Sequence, residues 1–207
     1  MNNFYEKLFK KTLKNIIHGE QIVRKNIENK PQQEQLLWLG MRRFISHAKA
    51  IILLCKQNHN LEALMLLRPL IELVVNLRWV LEDTSGKNLE KFNQRTEYEF
   101  ENGIPKMGAE WTTANLLDKM KKIGFNEQYY KTVIKKIHEE LHGNPAVIAR
   151  AHNKDLTAMS AEASFSAASQ FAVHFLKVAN LLFKEELFYN YNDIGEQIKI
   201  RQSKLTA

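Results

Sequence analysis

The chain has 207 residues, of which 44% are hydrophobic and 26% are charged, as in an ordinary folded domain. This composition excludes wholesale disorder, and the single cysteine, Cys55, excludes an intramolecular disulfide. No apolar run reaches the ~18 residues of a transmembrane helix, and the N-terminus lacks the apolar core of a signal peptide. We therefore expect a soluble, cytoplasmic protein that has no membrane partner.

Positive charge exceeds negative charge, with 30 Lys and Arg against 23 Asp and Glu, which gives a net charge of +7. Residues 1–30 hold seven of the basic residues, and residues 119–136 hold six lysines. An excess of positive charge attracts anions, nucleic acid above all. Two separated basic segments suit an elongated anion better than a single pocket does, so RNA is a candidate partner. The alternative is that the charge serves solubility alone.

The first half of the chain shows the periodicity of helices. Apolar residues at three- and four-residue spacing predict one helix over 4–28 and a second, mostly buried helix over 32–56. Asn60 is predicted to cap a third helix over 61–82. Pro69 lies inside this third helix and is predicted to kink it. Because its sequence is apolar nearly all the way round, we expect this helix to be central.

The next part of the chain is more polar. Residues 87–110 are predicted to form one short helix followed by a loop. Thr112 or Thr113 is expected to cap a short helix after that loop, and Asn126 to cap another that runs through His142. No segment shows the two-residue period of a strand.

The last predicted helix starts from a cap at Thr157 and covers residues 158–187. These elements together predict an all-α protein, a single-domain helical bundle of about six to seven helices around one long kinked central helix. We place this domain at residues 1–190 and a polar C-terminal tail at residues 191–207.

Three polar residues interrupt the apolar third helix at four-residue spacing, Arg68, Glu72 and Asn76, which places them on one stripe. Their neighbours are apolar, so we expect Arg68 and Glu72 to pair in surroundings that leave little room for water. One interpretation is a purely structural ion pair. The other is a cleft in which Arg68 binds a phosphate and Glu72 acts as base.

A second candidate site lies near the predicted helix that follows Asn126. Tyr130, His138 and His142 share one face of that helix. The same segment contains the pattern H-E-x-x-H, in which His138 and His142 would bind zinc and Glu139 would be the general base. We keep a zinc-dependent hydrolase as an alternative, although the peptide-aligning strand of such enzymes is not predicted.

Arg42 and His47 form a third candidate, with the spacing Arg-x4-His on the second helix. The residues between them include Phe44 and Ile45, which are expected to be buried. The simpler interpretation of His47 is therefore a histidine whose ring nitrogens are satisfied in the core or at its edge.

Several of these motifs together resemble a bacterial family of all-helical domains of unknown function. They are the Arg68-x3-Glu72 helix, a helix opened by Trp111-Thr112-Thr113, and a Tyr-containing helix that ends at His142-Gly143-Asn144-Pro145. The resemblance covers roughly residues 35–185. The hallmark of the family is an Arg-x3-Glu helix followed by a Tyr…Ser-x3-His segment, and His138 stands where the family has Ser. The Gly-Asn that follows favours His142 as the family's histidine.

That family is remotely similar to the HEPN superfamily of helical nucleotide-binding domains. Many HEPN proteins are metal-independent ribonucleases of toxin–antitoxin and phage-defence systems, and they act as dimers with an Arg-x4-6-His pair at the interface. The resemblance therefore implies an endoribonuclease without a cofactor, a homodimer, and RNA or an antitoxin protein as partner. Arg42 and His47 match the spacing of the pair, but Arg43 replaces the small polar residue that usually follows the arginine.

Such an enzyme needs a base, a cation beside the phosphate and an acid. Glu72 or one histidine would be the base, Arg68 the cation and His142 the acid. The alternative of a different class is a non-catalytic helical adaptor that binds a partner protein. A catalytic cluster should be accessible to solvent, whereas a structural one should be buried and fully hydrogen-bonded.

Overall fold

The computed structural model describes residues 4–102, 115–135, 137, 154–183 and 196, and within these ranges it contains helices and no strand. A 3-10 helix, Arg24–Asn29, follows the first α-helix, and a π-helix, Tyr130–Ile134, continues the sixth. The all-α prediction is confirmed. The α-helices are α1 (Phe4–Val23), α2 (Gln32–Lys56), α3 (Asn60–Leu81), α4 (Lys87–Asn102), α5 (Leu116–Lys122), α6 (Glu127–Tyr129) and α7 (Lys154–Phe183).

The core forms between α3 and α7, which contact each other most extensively, with α1 and α2 packed around them. Each of these helices buries an apolar stripe, because residues three or four apart fall on one side of a helix. Aromatic rings join the layers: the Phe44 and Phe175 centroids are 5.0 Å apart, and those of Phe9 and Phe165 are 6.1 Å apart. The central position predicted for the third helix is confirmed.

A glycine lies at the contact between α2 and α3. Gly40 is buried, and a methyl group on its α-carbon would overlap Cδ1 of Leu77. A larger residue at position 40 would therefore require the Leu77 side chain to move.

Helix boundaries differ from the predicted ones where local signals compete. α1 ends at Val23 rather than at 28, because Asn26 leaves the helical region with φ −132°. Asn60 is the first residue of α3 and is buried, so it does not cap the helix as predicted. Pro69 is accommodated within an unbroken α3, although it has no amide hydrogen to donate.

The polar segment after α3 is more helical than predicted, since α4 has 16 residues and packs Leu89 and Phe92 against the core. Asn115 caps α5, whereas the predicted caps Thr112 and Thr113 lie outside the described residues. Asn126 caps α6 as predicted.

The predicted start of the last helix is wrong, because α7 begins at Lys154 and so includes Thr157 in its first turns. Of the predicted tail, 191–207, the structure describes residue 196 alone. No helix within the described ranges combines the length and the apolar character needed to cross a bilayer.

Candidate functional site

Arg68 and Glu72 form the predicted pair, with 2.5 Å between Nε and Oε1. The prediction of apolar surroundings is wrong, because the side chains are 21% and 41% exposed, respectively. The buried side of α3 carries Leu67, Leu70 and Ile71, which face the core. Arg68 and Glu72 lie at the edge of that buried side, where water reaches them.

Asn76, the third member of this stripe, contacts a different helix. Its Oδ1 accepts a hydrogen bond of 2.9 Å from Nζ of Lys119 on α5, and Lys119 is buried. Eight residues separate Arg68 from Asn76, so the stripe extends about 12 Å along α3. We call Arg68, Glu72, Asn76 and Lys119 the α3 stripe. Lys119 was not predicted, because sequence alone shows only that it belongs to a lysine-rich segment.

The remaining predicted residues within the described ranges do not join this stripe in any observed contact. The Arg42 guanidinium lies over the Trp38 ring, 5.1 Å from its centroid. Nδ1 of His47 is 2.9 Å from the carbonyl oxygen of Arg43, to which it donates a hydrogen bond. His47 therefore has a backbone partner for one ring nitrogen within its own helix. Tyr130 is half-buried and packs against the core.

The residues of the predicted zinc motif, His138, Glu139 and His142, lie outside the described residues. In the described part of the chain, no three His, Cys, Asp or Glu side chains come together as metal ligands.

A second polar cluster, absent from the sequence predictions, surrounds Arg78 at the C-terminal end of α3. Its guanidinium binds Glu82 through two hydrogen bonds, Nε to Oε1 at 2.6 Å and Nη2 to Oε2 at 3.0 Å. Nη1 donates to the carbonyl oxygen of Ile123, at 3.0 Å, and to Nδ1 of His174, at 2.5 Å. We call Arg78, Glu82 and His174 the Arg78 cluster. It joins α3, the end of α5 and α7.

The ring of His174 is held neutral in this cluster. Burial is the main cause, and together with the charges of Arg78 and Lys177 it lowers the pKa of His174 to about 3. The Phe125 ring lies over it, with 4.1 Å between the centroids. Since a guanidinium only donates hydrogen bonds, Nδ1 is the acceptor and the ring proton is on Nε2.

Two cavities flank the clusters. A polar cavity of about 300 Å³ is lined by residues that include Arg78, Trp79, Glu82 and Lys122. An apolar cleft of about 260 Å³ lies between α2, α3 and α4, and its lining includes Leu39, Leu73 and Asn76. Asn76 thus connects the α3 stripe to the apolar cleft.

The two clusters suit different roles. In the Arg78 cluster, the Arg78 side chain is only 10% exposed. It has hydrogen-bond acceptors on three elements. This arrangement is typical of a structural ion pair. Within the α3 stripe the Arg68–Glu72 pair reaches solvent, with Glu72 41% exposed, and a guanidinium beside an accessible carboxylate can bind an oxyanion and accept a proton. The α3 stripe is therefore the candidate functional site.

Residues 35–99 match a family of unknown function (DUF5677). The matched segment runs from α2 into α4 and includes both Arg-x3-Glu pairs of α3. The resemblance to an all-helical family of unknown function is thereby confirmed for this segment, which is shorter than the predicted 35–185. No curated protein and no solved structure matches the chain.

Proposed function

We propose that this protein is a HEPN-like endoribonuclease of the toxin or phage-defence type that cleaves RNA without a metal ion. The observation that supports the proposal is the solvent access of the Arg68–Glu72 pair, whose glutamate side chain is 41% exposed. This exposure lets a ligand in solvent reach Glu72, whereas Arg78 is held by acceptors on three elements. A guanidinium beside an accessible carboxylate can bind a phosphate and accept a proton.

The proposed chemistry follows from the residue types. Glu72 accepts the proton of a ribose 2′-hydroxyl, and the resulting oxygen attacks the adjacent phosphorus. Arg68 stabilises the negative charge on the phosphorane. The bond from phosphorus to the 5′-oxygen then breaks, and His142 donates a proton to that oxygen. The products are a 2′,3′-cyclic phosphate and a 5′-hydroxyl.

The test is cleavage of total RNA and of tRNA in EDTA. We expect the wild-type protein to release products that end in a 2′,3′-cyclic phosphate. Arg68→Ala, Glu72→Gln and His142→Ala should each reduce the rate at least ~100-fold, the size of a lost general acid or base. Glu62→Gln is a matched control, because Glu62 is also an exposed glutamate of α3, ten residues earlier, with a 59% exposed side chain. Wild-type protein that leaves RNA intact, or site variants that cleave like Glu62→Gln, would overturn the proposal.

The second candidate function is that of a helical adaptor without catalytic activity. The apolar cleft between α2, α3 and α4 supports it, because Leu39 at this cleft is 53% exposed. In the expected homodimer, a second copy of the chain would occupy this cleft. Light scattering should then give twice the 24.2 kDa of one chain, and Leu39→Asp should give the single mass. A dimer that forms equally well with Leu39→Asp would show that the cleft is not the contact surface, and RNA cleavage by the wild-type protein would contradict a non-catalytic adaptor.

A further inference from the structure

One face of α1 presents a row of basic side chains to solvent. Lys7, Lys11, Lys14 and His18 are all exposed, and they are spaced by four, three and four residues. This spacing places them in one line along the helix, about 16 Å from first to last. The opposite face of α1 is buried, with Phe9 and Ile16 fully enclosed in the core.

No carboxylate within the described residues pairs with Lys7, Lys11 or Lys14. Both acidic residues of α1 are engaged elsewhere. Glu6 binds Lys10, and Glu20 accepts a hydrogen bond of 3.0 Å from Nε1 of Trp38. The row therefore keeps its positive charge.

The other lysine-rich segment contrasts with this row. Glu127 binds both Lys121, at 2.8 Å, and Lys131, at 2.9 Å. Lys122 lies over the Trp79 ring, 4.7 Å from its centroid, and Lys119 is buried against Asn76. Four lysines of the segment predicted to be a second anion-binding surface therefore already have partners within the protein. The α1 row is the better candidate for binding an external anion.

Arg42 of α2 lies apart from this row. Trp38 donates a hydrogen bond to Glu20, which is about 150° around α1 from the row, and the exposed Arg42 lies over that tryptophan. The basic surface is therefore that of α1 itself.

We propose that Lys7, Lys11 and Lys14 bind the sugar–phosphate backbone of a nucleic acid strand, which is RNA if the proposed function holds. Neighbouring lysines three or four residues apart are about 5–6 Å from each other on a helix surface. That separation is comparable with the distance between successive phosphates of a strand. An anionic membrane fits less well, because the apolar face with which an amphipathic helix enters a bilayer is buried in the core. The surface carries charge but no groups aimed at bases, so it binds without sequence preference.

The experiment measures the affinity of the full chain for a fluorescent RNA 20-mer between 50 and 200 mM salt, with Glu72→Gln in every arm to prevent cleavage. Lys7→Gln/Lys11→Gln/Lys14→Gln is compared with a matched variant that also loses three exposed lysines. We expect the α1 variant to bind about tenfold more weakly at 100 mM salt and to reduce the slope of log affinity against log salt by about two. The matched variant is Lys87→Gln/Lys91→Gln/Lys135→Gln.

An equal loss in both triple variants would overturn the proposal, because net charge would then explain it. The same variants are also tested for binding to phosphatidylserine vesicles. If the triple α1 substitution weakens vesicle binding more than RNA binding, the surface belongs to a membrane and the proposal is overturned. The cleavage assay is independent of this result. Lysine-dependent binding by a protein that cleaves no RNA would retain the surface and reject the nuclease, whereas cleavage with unchanged binding would reject the surface alone.

Discussion

Arg68–Glu72 and Arg78–Glu82 share one spacing along α3 and its end, yet the first pair is 21% and 41% exposed and the second only 10% and 27%. The first pair is held by a hydrogen bond of 2.5 Å at the edge of α3, with Glu72 41% exposed. The second is bidentate, and its arginine also binds α5 and α7. The comparison teaches that the spacing Arg-x3-Glu specifies a pair, whereas the helices packed around it decide between a structural and a functional role.

The largest expected effect comes from removing the buried arginine. Arg78→Ala removes the donor of two hydrogen bonds, those to the carbonyl oxygen of Ile123 and to Nδ1 of His174. It also removes the partner of Glu82, whose side chain is only 27% exposed. Breaking a buried ion pair in this way costs about 3 kcal/mol in the free energy of unfolding. In a domain of this size we expect the Tm to fall by about 6–12 °C in a thermal melt. A loss no larger than that of Arg68→Ala would contradict the contrast between the two pairs.

The next effect is a pH dependence of stability. The unfolded chain protonates His174 below pH ~6.5, whereas in the folded protein its pKa is about 3. Between these values the unfolded state holds one more proton, so stability present above pH ~6.5 is lost as the pH falls, at up to about 1.4 kcal/mol per pH unit.

Urea unfolding at pH 7 and pH 5 measures this dependence. His174→Gln keeps an acceptor for Arg78 but does not titrate. From pH 7 to pH 5 the wild type should therefore lose up to about 2 kcal/mol more unfolding free energy than His174→Gln loses. Equal losses in the two proteins would show that His174 is not held neutral by the cluster.

A smaller effect is expected at the exposed pair. A double-mutant cycle of Arg68→Ala and Glu72→Ala should give a coupling energy below about 1 kcal/mol, because exposed ion pairs gain little from their charges. The same variants should lose RNA cleavage while keeping a near-wild-type Tm. A coupling energy as large as that of Arg78 and Glu82 would assign the α3 stripe to structure and remove the support for catalysis.

The smallest expected effect is the salt dependence of the two coupling energies. Raising NaCl from 50 mM to 0.5 M shortens the range of exposed charge interactions, so the Arg68–Glu72 coupling should fall by a few tenths of a kcal/mol. The Arg78–Glu82 coupling should fall by less, because its side chains, 10% and 27% exposed, are more buried than those of the first pair. Chemical unfolding of both double-mutant cycles with urea at each salt concentration provides the measurement. A similar change in the two couplings would mean that they are equally exposed.

Local pattern was sufficient for the parts of the fold that depend on neighbours along the chain. The period of apolar residues predicted α2 with the bounds 32–56 that it has, and α3 within one residue at each end. The spacing of Arg68 and Glu72 correctly predicted their pairing. These features follow from helix geometry alone, which places residues four apart on one side.

The environment of the charged residues could not be predicted in the same way. Arg78 meets His174, which is 96 residues away in sequence, and Asn76 meets Lys119, which is 43 residues away. The signal at Arg78 was present, since Arg78-x3-Glu82 repeats the spacing of Arg68-x3-Glu72, and His174 interrupts an apolar run of α7. Their importance depends on which helix packs on which, and no local pattern contains that information.

The close approach of α2 and α3 at Gly40 has a consequence for how the molecule opens. Without a side chain at position 40, Leu77 enters the space beside α2 and fixes both helices in one packed unit. Helices coupled in this way separate cooperatively, so their central amide hydrogens should exchange with deuterium only when the whole unit opens. The 3-10 turn Arg24–Asn29, which lies outside that unit and buries only Ile27, should exchange first. Arg68, Glu72 and Asn76 of the α3 stripe therefore lie on one of the two helices of this packed unit.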